Sequence, residues 1–266
     1  MQPRAFGARG ALAAVVAVLC GAATVWAAQA GSPAGGSDAL LPDLSPQSPG
    51  QLTVRAVQRD GRRRFRLGFR SAADNVGSGP LVVEARLDSR RQSILVTTQV
   101  VTRADGSAER RPLPARLRYV HSADHSHRHY VGFMRYELRR PGDGRRLGRD
   151  HKTGFCLGDR YSTPSSRPLR GRRGPAAFDE TDCGKGRPDL SILREGISVG
   201  YGDDYDAHLE GQEIDITGLP PGRYILVHTV NPDRSLADLT YENNTSRALI
   251  RIARDARGRP TAKLLR

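Results

Sequence analysis

Phe65, Leu67 and Phe69 alternate with Arg64, Arg66 and Gly68. A period of two with one apolar face predicts a half-buried β-strand. The turn residues Asn75-Val76-Gly77-Ser78-Gly79-Pro80 follow, and then the apolar run Leu81–Ala85. Ser93–Val101 is a second β-rich run. Further on, Met134, Tyr136 and Leu138 share one strand face while Arg135 and Glu137 take the other. Ile214–Thr217 runs into the turn Leu219-Pro220-Pro221-Gly222, with Tyr224–Val230 returning as a strand and Ser246–Ala253 closing the series. Nothing has the spacing of a long amphipathic helix, and there is no internal repeat. The pattern predicts an all-β protein: a β-sandwich with long loops and little helix.

The 266 residues suit one domain of moderate size, with 38% hydrophobic residues to build its core. With 29 Gly and 17 Pro spread along the chain, a long coiled coil is excluded. No internal segment has the run of apolar residues that a helical membrane span needs. The formal charge is +14, and Lys occurs only at Lys152, Lys185 and Lys263, so 39 of the 42 basic residues are Arg. These arginines are scattered and carry no aromatic stacking motif, so nucleic acid is not an expected partner. An anionic neighbour such as a cell wall suits the surplus better. The oligomeric state is left open.

At the N-terminus Arg4 and Arg9 precede the apolar stretch Ala11–Ala30, which ends in Ala28-Gln29-Ala30. A charged start, an apolar centre and a small-x-small end predict a signal peptide over residues 1–30, or else an N-terminal anchor. Residues 31–50, rich in Gly, Ser and Pro, read as a flexible linker. Cleavage after Ala30 would remove Cys20 and leave Cys156 and Cys183. An isolated pair in an exported protein is expected to form a disulfide, which would stabilise the loop it closes by roughly 3 kcal/mol.

Four of the seven histidines lie in one window, His121, His125, His127 and His129. Spacing at i, i+2, i+4 does not align three imidazoles on a helix, but an extended chain turns them to one side. Converging neutral imidazoles suit copper or zinc. The alternative is a polar loop that is merely His-rich.

Downstream come His151-Lys152-Thr153-Gly154-Phe155-Cys156, then Asp203-Asp204-Tyr205, Ile214-Asp215-Ile216-Thr217, Asn231-Pro232 and Tyr241-Glu242-Asn243-Asn244. In this order they resemble the catalytic domain of the lysyl oxidase family over about residues 41–253. The resemblance implies a secreted copper amine oxidase that builds lysine tyrosylquinone from its own side chains. Carried over residue by residue, it assigns copper to His125, His127 and His129, and the cofactor cross-link to Lys152 and Tyr205. His121 falls where the family has a further, non-ligating His. Only one disulfide is available, where animal members have several, which suggests a bacterial-type member. The catalytic domain is expected over residues 51–255, with a basic tail at 256–266.

The chemistry is consistent with those residue types. A phenol beside copper can be oxidised by O₂ to a quinone, to which a neutral lysine adds. The finished cofactor would take electrons from a primary amine, peptidyl lysine above all. The expected products are aldehyde, ammonia and hydrogen peroxide. Asp203 is the first choice for the proton-accepting base and His208 the second. His228 reads as a core histidine. Asp203, Asp204, Asp206, Glu210, Glu213 and Asp215 lie within a stretch that has no Arg or Lys, and together they could attract an ammonium group. The rival readings are a non-catalytic copper-binding surface module and a zinc-held β-sandwich that binds the cell wall. Neither of these needs both Lys152 and Tyr205.

Overall fold

The computed structural model describes residues 38–86, 94–121, 126–150, 154–179, 182–209 and 211–265. The expected leader, His125, Lys152 and Glu210 lie outside the described residues. In chain order the strands are β1 (Ala39–Leu40), β2 (Leu44–Pro46), β3 (Gly50–Arg59), β4 (Arg62–Asn75), β5 (Leu81–Arg86) and β6 (Ile94–Arg103). Next come β7 (Ala108–His121), β8 (Ser126–Val131), β9 (Met134–Arg139), β10 (Arg146–Arg149), β11 (Gly154–Phe155) and β12 (Tyr161–Ser162). The series ends with β13 (Ile192–Ile197), β14 (Tyr201–Tyr205), β15 (Glu213–Asp215), β16 (Gly222–Val230), β17 (Thr245–Arg254) and β18 (Pro260–Leu264). Among the described residues there is no helix, and the all-β class stands.

The strands form three antiparallel sheets. One runs β11-β8-β7-β6-β5-β13 with β1 also on β6, and a second runs β10-β9-β16-β17-β18. The third runs β12-β14-β4-β15, with β2 and β3 also on β4. All three contribute to a single apolar cluster that includes Leu67, Phe69, Leu117, Tyr130, Tyr136, Phe155 and Leu226. Burying side chains of this size contributes about 1.5–3 kcal/mol each.

Strand β4 differs from its half-buried expectation. Arg66 is buried, with Asp215 at 3.8 Å, and Gly68 and Phe69 are buried beside it. The loop after β14 covers the face that periodicity assigned to solvent. A Cβ on Gly68 would stand 2.2 Å from the Ala207 carbonyl oxygen, so only glycine allows that approach.

The expected linker and tail also differ. Residues 39–46 carry β1 and β2, and Leu41, Asp43 and Leu44 are buried. Asn75 holds this stretch: its Oδ1 accepts the Asp43 N–H at 3.1 Å, while its Nδ2 donates to the carbonyls of Gly79 and Ile197. A Cβ on Gly79 would lie 2.0 Å from the Leu40 carbonyl oxygen, so the Gly-rich turn is a seat for the N-terminal strand. Residues 260–264 form β18 on the edge of the second sheet, where strand pairing to β17 outweighs the local charge.

Candidate active site

Strand β8 alternates between two environments. Tyr130 enters the core, and Arg128, 2% exposed, points the same way and donates to the carbonyls of Pro188 and Leu190. His127 and His129 therefore take the opposite face. Their Nε2 atoms lie 2.8 Å apart and their ring centroids 4.6 Å apart. The i, i+2 spacing produces this convergence because the segment is a strand, as the sequence implied. Gly154 on β11 completes the setting, since a Cβ there would stand 2.5 Å from His129 Cβ. His121 ends β7 and its Nδ1 lies 3.2 Å from Ser126 Oγ. Among the described residues no three His, Cys, Asp or Glu side chains gather as a metal site. Two imidazole nitrogens aimed at one point nevertheless fit copper by donor type, His125 being outside the description.

Strand β14 presents Asp203 and Tyr205 inward and Asp204 outward. Tyr205 packs edge-on against Phe155 at 5.0 Å, and Phe155 sits edge-on to Phe133 and Tyr136. Such ring pairs favour one orientation and hold Tyr205 in place. Its hydroxyl lies 2.6 Å from Asp203 Oδ2 and 2.8 Å from the Cys156 carbonyl oxygen. Both partners are acceptors, and the single proton has a carboxylate to go to. Burial, followed by the adjacent Asp203 charge, holds the phenol well above its usual pKa. Asp203 is fully buried, with Arg160 Nε 3.6 Å from its Oδ1. His208, by contrast, is exposed.

Two links hold Phe155 and Tyr205 in register. Phe155 pairs with Tyr130, next in sequence to His129, so one short strand joins the imidazole strand to the phenol. Asp150 precedes it, buried, with Oδ1 accepting the Tyr136 N–H at 3.1 Å. Cys156 and Cys183 form the expected disulfide, with Cα atoms 5.7 Å apart, tying β11 to the segment before β13. Lys152 itself lies outside the described residues, two positions before β11.

Part of the acidic stretch is ion-paired in the fold. Asp204 pairs with Arg70 at 2.6 Å, Glu213 with Arg55 at 2.6 Å, and Asp215 with Arg66. The sequence segment has no cation, but strands β3 and β4 supply three. These three acids are thereby committed to local pairs, while Asp206 is exposed and Glu210 lies outside the described residues. His228, by contrast, is the core histidine expected: fully buried, 4.8 Å from the Tyr136 ring, with Nδ1 3.3 Å from the Gln47 carbonyl.

Sequence reasoning missed two residues. Glu195 on β13 is fully buried, with Oε2 3.1 Å from Cys183 Sγ. A disulfide sulfur only accepts, and burial followed by the Asp203 charge pushes this acid well above its usual pKa, so Glu195 is a neutral donor. Its signal was an acid at a core position of the β13 pattern. Arg160 had no signal in sequence, since only the fold brings it to Asp203.

The sequence matches the lysyl oxidase family over residues 81–257. The chain belongs to that family. Protein-lysine 6-oxidase of Sus scrofa is 33% identical over 145 residues, which are 52% of this chain and 50% of that protein. The Homo sapiens protein-lysine 6-oxidase is 33% identical over 145 residues, 30% of its length. Lysyl oxidase homolog 3B of Danio rerio is 32% identical over 144 residues, 15% of its length. This lysyl oxidase family member thus aligns with half or less of each of these relatives.

Proposed function

We propose that this chain is an exported copper-dependent amine oxidase acting on primary amines, with peptidyl lysine as the favoured substrate. It carries out oxidative deamination, with release of aldehyde, ammonia and hydrogen peroxide. The observation that carries the reading is the buried Tyr205 hydroxyl held between the Asp203 carboxylate and the Cys156 carbonyl, four residues after Lys152. The Tyr205 phenol thus has a fully buried proton acceptor at 2.6 Å, beside the segment that carries Lys152 in sequence.

Three groups divide the work. His127 and His129, with His125, would hold copper, and bound copper with O₂ would supply the oxidising power for making lysine tyrosylquinone from Tyr205 and Lys152. Asp203 accepts the phenolic proton, and in turnover it removes the α-proton of the bound amine. The Phe155, Phe133 and Tyr136 rings exclude water from the reacting edge and keep Tyr205 from tilting. Membership of the family supports this reading, and so does the pair of facing imidazoles.

The test is maturation of the full chain with copper and O₂. The expected result is a hydrazine-reactive chromophore, a Lys152–Tyr205 cross-linked peptide by mass spectrometry, and peroxide release that depends on added amine. Copper bound tightly with none of the three would overturn the reading and leave a copper-binding module.

A further inference from the structure

We propose that Arg160 is a positioning residue of this site: its guanidinium holds Asp203 as a carboxylate turned toward Tyr205, ready to take the phenolic proton as the cofactor forms. The inference rests on the amine-oxidase reading for the purpose of that proton transfer, and on geometry alone for the hold on Asp203.

The backbone before Arg160 is fixed from several sides. Asp159, buried, accepts the Ser198 N–H at 2.7 Å through Oδ1 and the Phe178 N–H at 3.0 Å through Oδ2. The Arg160 N–H then donates to the Gly202 carbonyl at 2.9 Å, on the strand that carries Asp203. The side chain folds back over Gly158, where a Cβ would stand 2.7 Å from Arg160 Cζ and 2.9 Å from Nη2. That glycine is the shelf on which the guanidinium rests. From it Nε reaches 3.6 Å from Asp203 Oδ1, and Nη2 lies 3.4 Å from Cys156 Sγ.

The other described groups around Asp203 are acids and phenols. Tyr205 donates to Oδ2. Glu195 on β13 is an acid within electrostatic range, and the Tyr161 and Tyr136 hydroxyls also feel the Asp203 charge. Tyr161 binds Asp74, itself paired with Arg167 at 2.8 Å, and Tyr136 lies 2.7 Å from Ser71. Among these described neighbours Arg160 is the cation in contact with Asp203. An opposite charge in contact with a buried carboxyl favours its ionised form, and a protonated Asp203 cannot accept another proton. In the transfer the Tyr205 O–H bond breaks and its proton passes to Asp203 Oδ2. The electron pair stays on the phenolate, and the guanidinium keeps its charge.

Two variants separate this role from a purely structural one. Arg160→Gln removes the charge, and Gly158→Ala displaces the guanidinium while keeping it. In metal-free protein, the Asp203 carboxyl carbon resonance is assigned with Asp203→Asn and titrated. Its midpoint should rise by about one pH unit in Arg160→Gln and move in the same direction in Gly158→Ala. In copper-loaded protein, the acid limb of the chromophore-formation rate should move upward with it. If both variants titrate within a few tenths of a pH unit of the parent, the proposal is wrong. A parent chain that never forms the chromophore would sink the amine-oxidase reading instead, while the metal-free titration still decides the hold on Asp203.

Discussion

Gly154 shows how one absent methyl shapes the strand that carries His127 and His129. A Cβ there would lie 2.5 Å from His129 Cβ and 3.1 Å from the Tyr130 carbonyl oxygen, both on a paired strand with little freedom to retreat. Gly154→Ala should therefore move the His129 imidazole away from His127 and weaken copper binding at least tenfold, about 1.4 kcal/mol. Gly174→Ala, whose Cβ meets nothing within 4 Å, should leave affinity unchanged. A competition titration against a copper chelator measures both, and equal affinities would refute the packing argument. The same residue scale applies to the acidic stretch: Asp204, Glu213 and Asp215 were visible in sequence, and their partners Arg70, Arg55 and Arg66 were not.

At the scale of elements, the site depends on how β11 and β14 are held. β14 pairs with β4 through Tyr205 opposite Ser71 and Asp203 opposite Ala73. β11 is only two residues long, so ladder bonds alone hold it weakly, and the disulfide and the Phe155 ring cluster supply the rest. The bridge spans 27 positions, and removing it should cost roughly 3 kcal/mol of unfolding free energy. Urea unfolding of Cys156→Ala/Cys183→Ala against the parent tests this. A change below about 1 kcal/mol would mean that the strand pairings and Arg128, whose N–H donates to the Cys183 carbonyl at 2.8 Å, suffice to hold the segment.

For the molecule as a whole, two buried groups make opposite contributions to stability against pH. Burial pushes His228 down to about 4 and Asp238 up to about 7. Below about pH 6.5 the unfolded chain protonates His228 first, so its burial costs stability as pH falls toward 4. Above about pH 4 the unfolded chain ionises Asp238 first, so its burial costs stability as pH rises toward 7. The limiting effect is on the order of 3 kcal/mol for His228 and 4 kcal/mol for Asp238. Relative to the parent, Asp238→Asn should gain stability progressively from pH 4 to 7, and His228→Gln should gain as pH falls from 6.5 to 4. Asn at 238 keeps an acceptor for the Leu44 N–H, and Asn244 can turn its amide to accept from the new NH₂, because its Oδ1 has no hydrogen bond among the described residues. Urea midpoints at four pH values read the slopes, and parallel curves for variant and parent would exclude the assignment.

Much of this was local and hence legible. Period-two alternation specified strands at Met134–Leu138 and Tyr224–Val230, and the same extended geometry turned His127 and His129 to one side. Motif order pointed to Tyr205, and with Cys20 in the expected leader only Cys156 and Cys183 were left to pair, as they do. What depended on contacts between residues far apart in sequence could not be read. Residues 39–46 look like linker until Asn75 and Gly79 receive them, and Arg66 and Gly68 look solvated until Asp215 meets the first and the Ala207 carbonyl the second. Arg160 and Glu195 reach Asp203 only because three strands and a disulfide meet there. Backbone periodicity is a property of neighbouring residues, whereas the charge state of a buried carboxylate is set by whatever the fold places within a few ångströms of it.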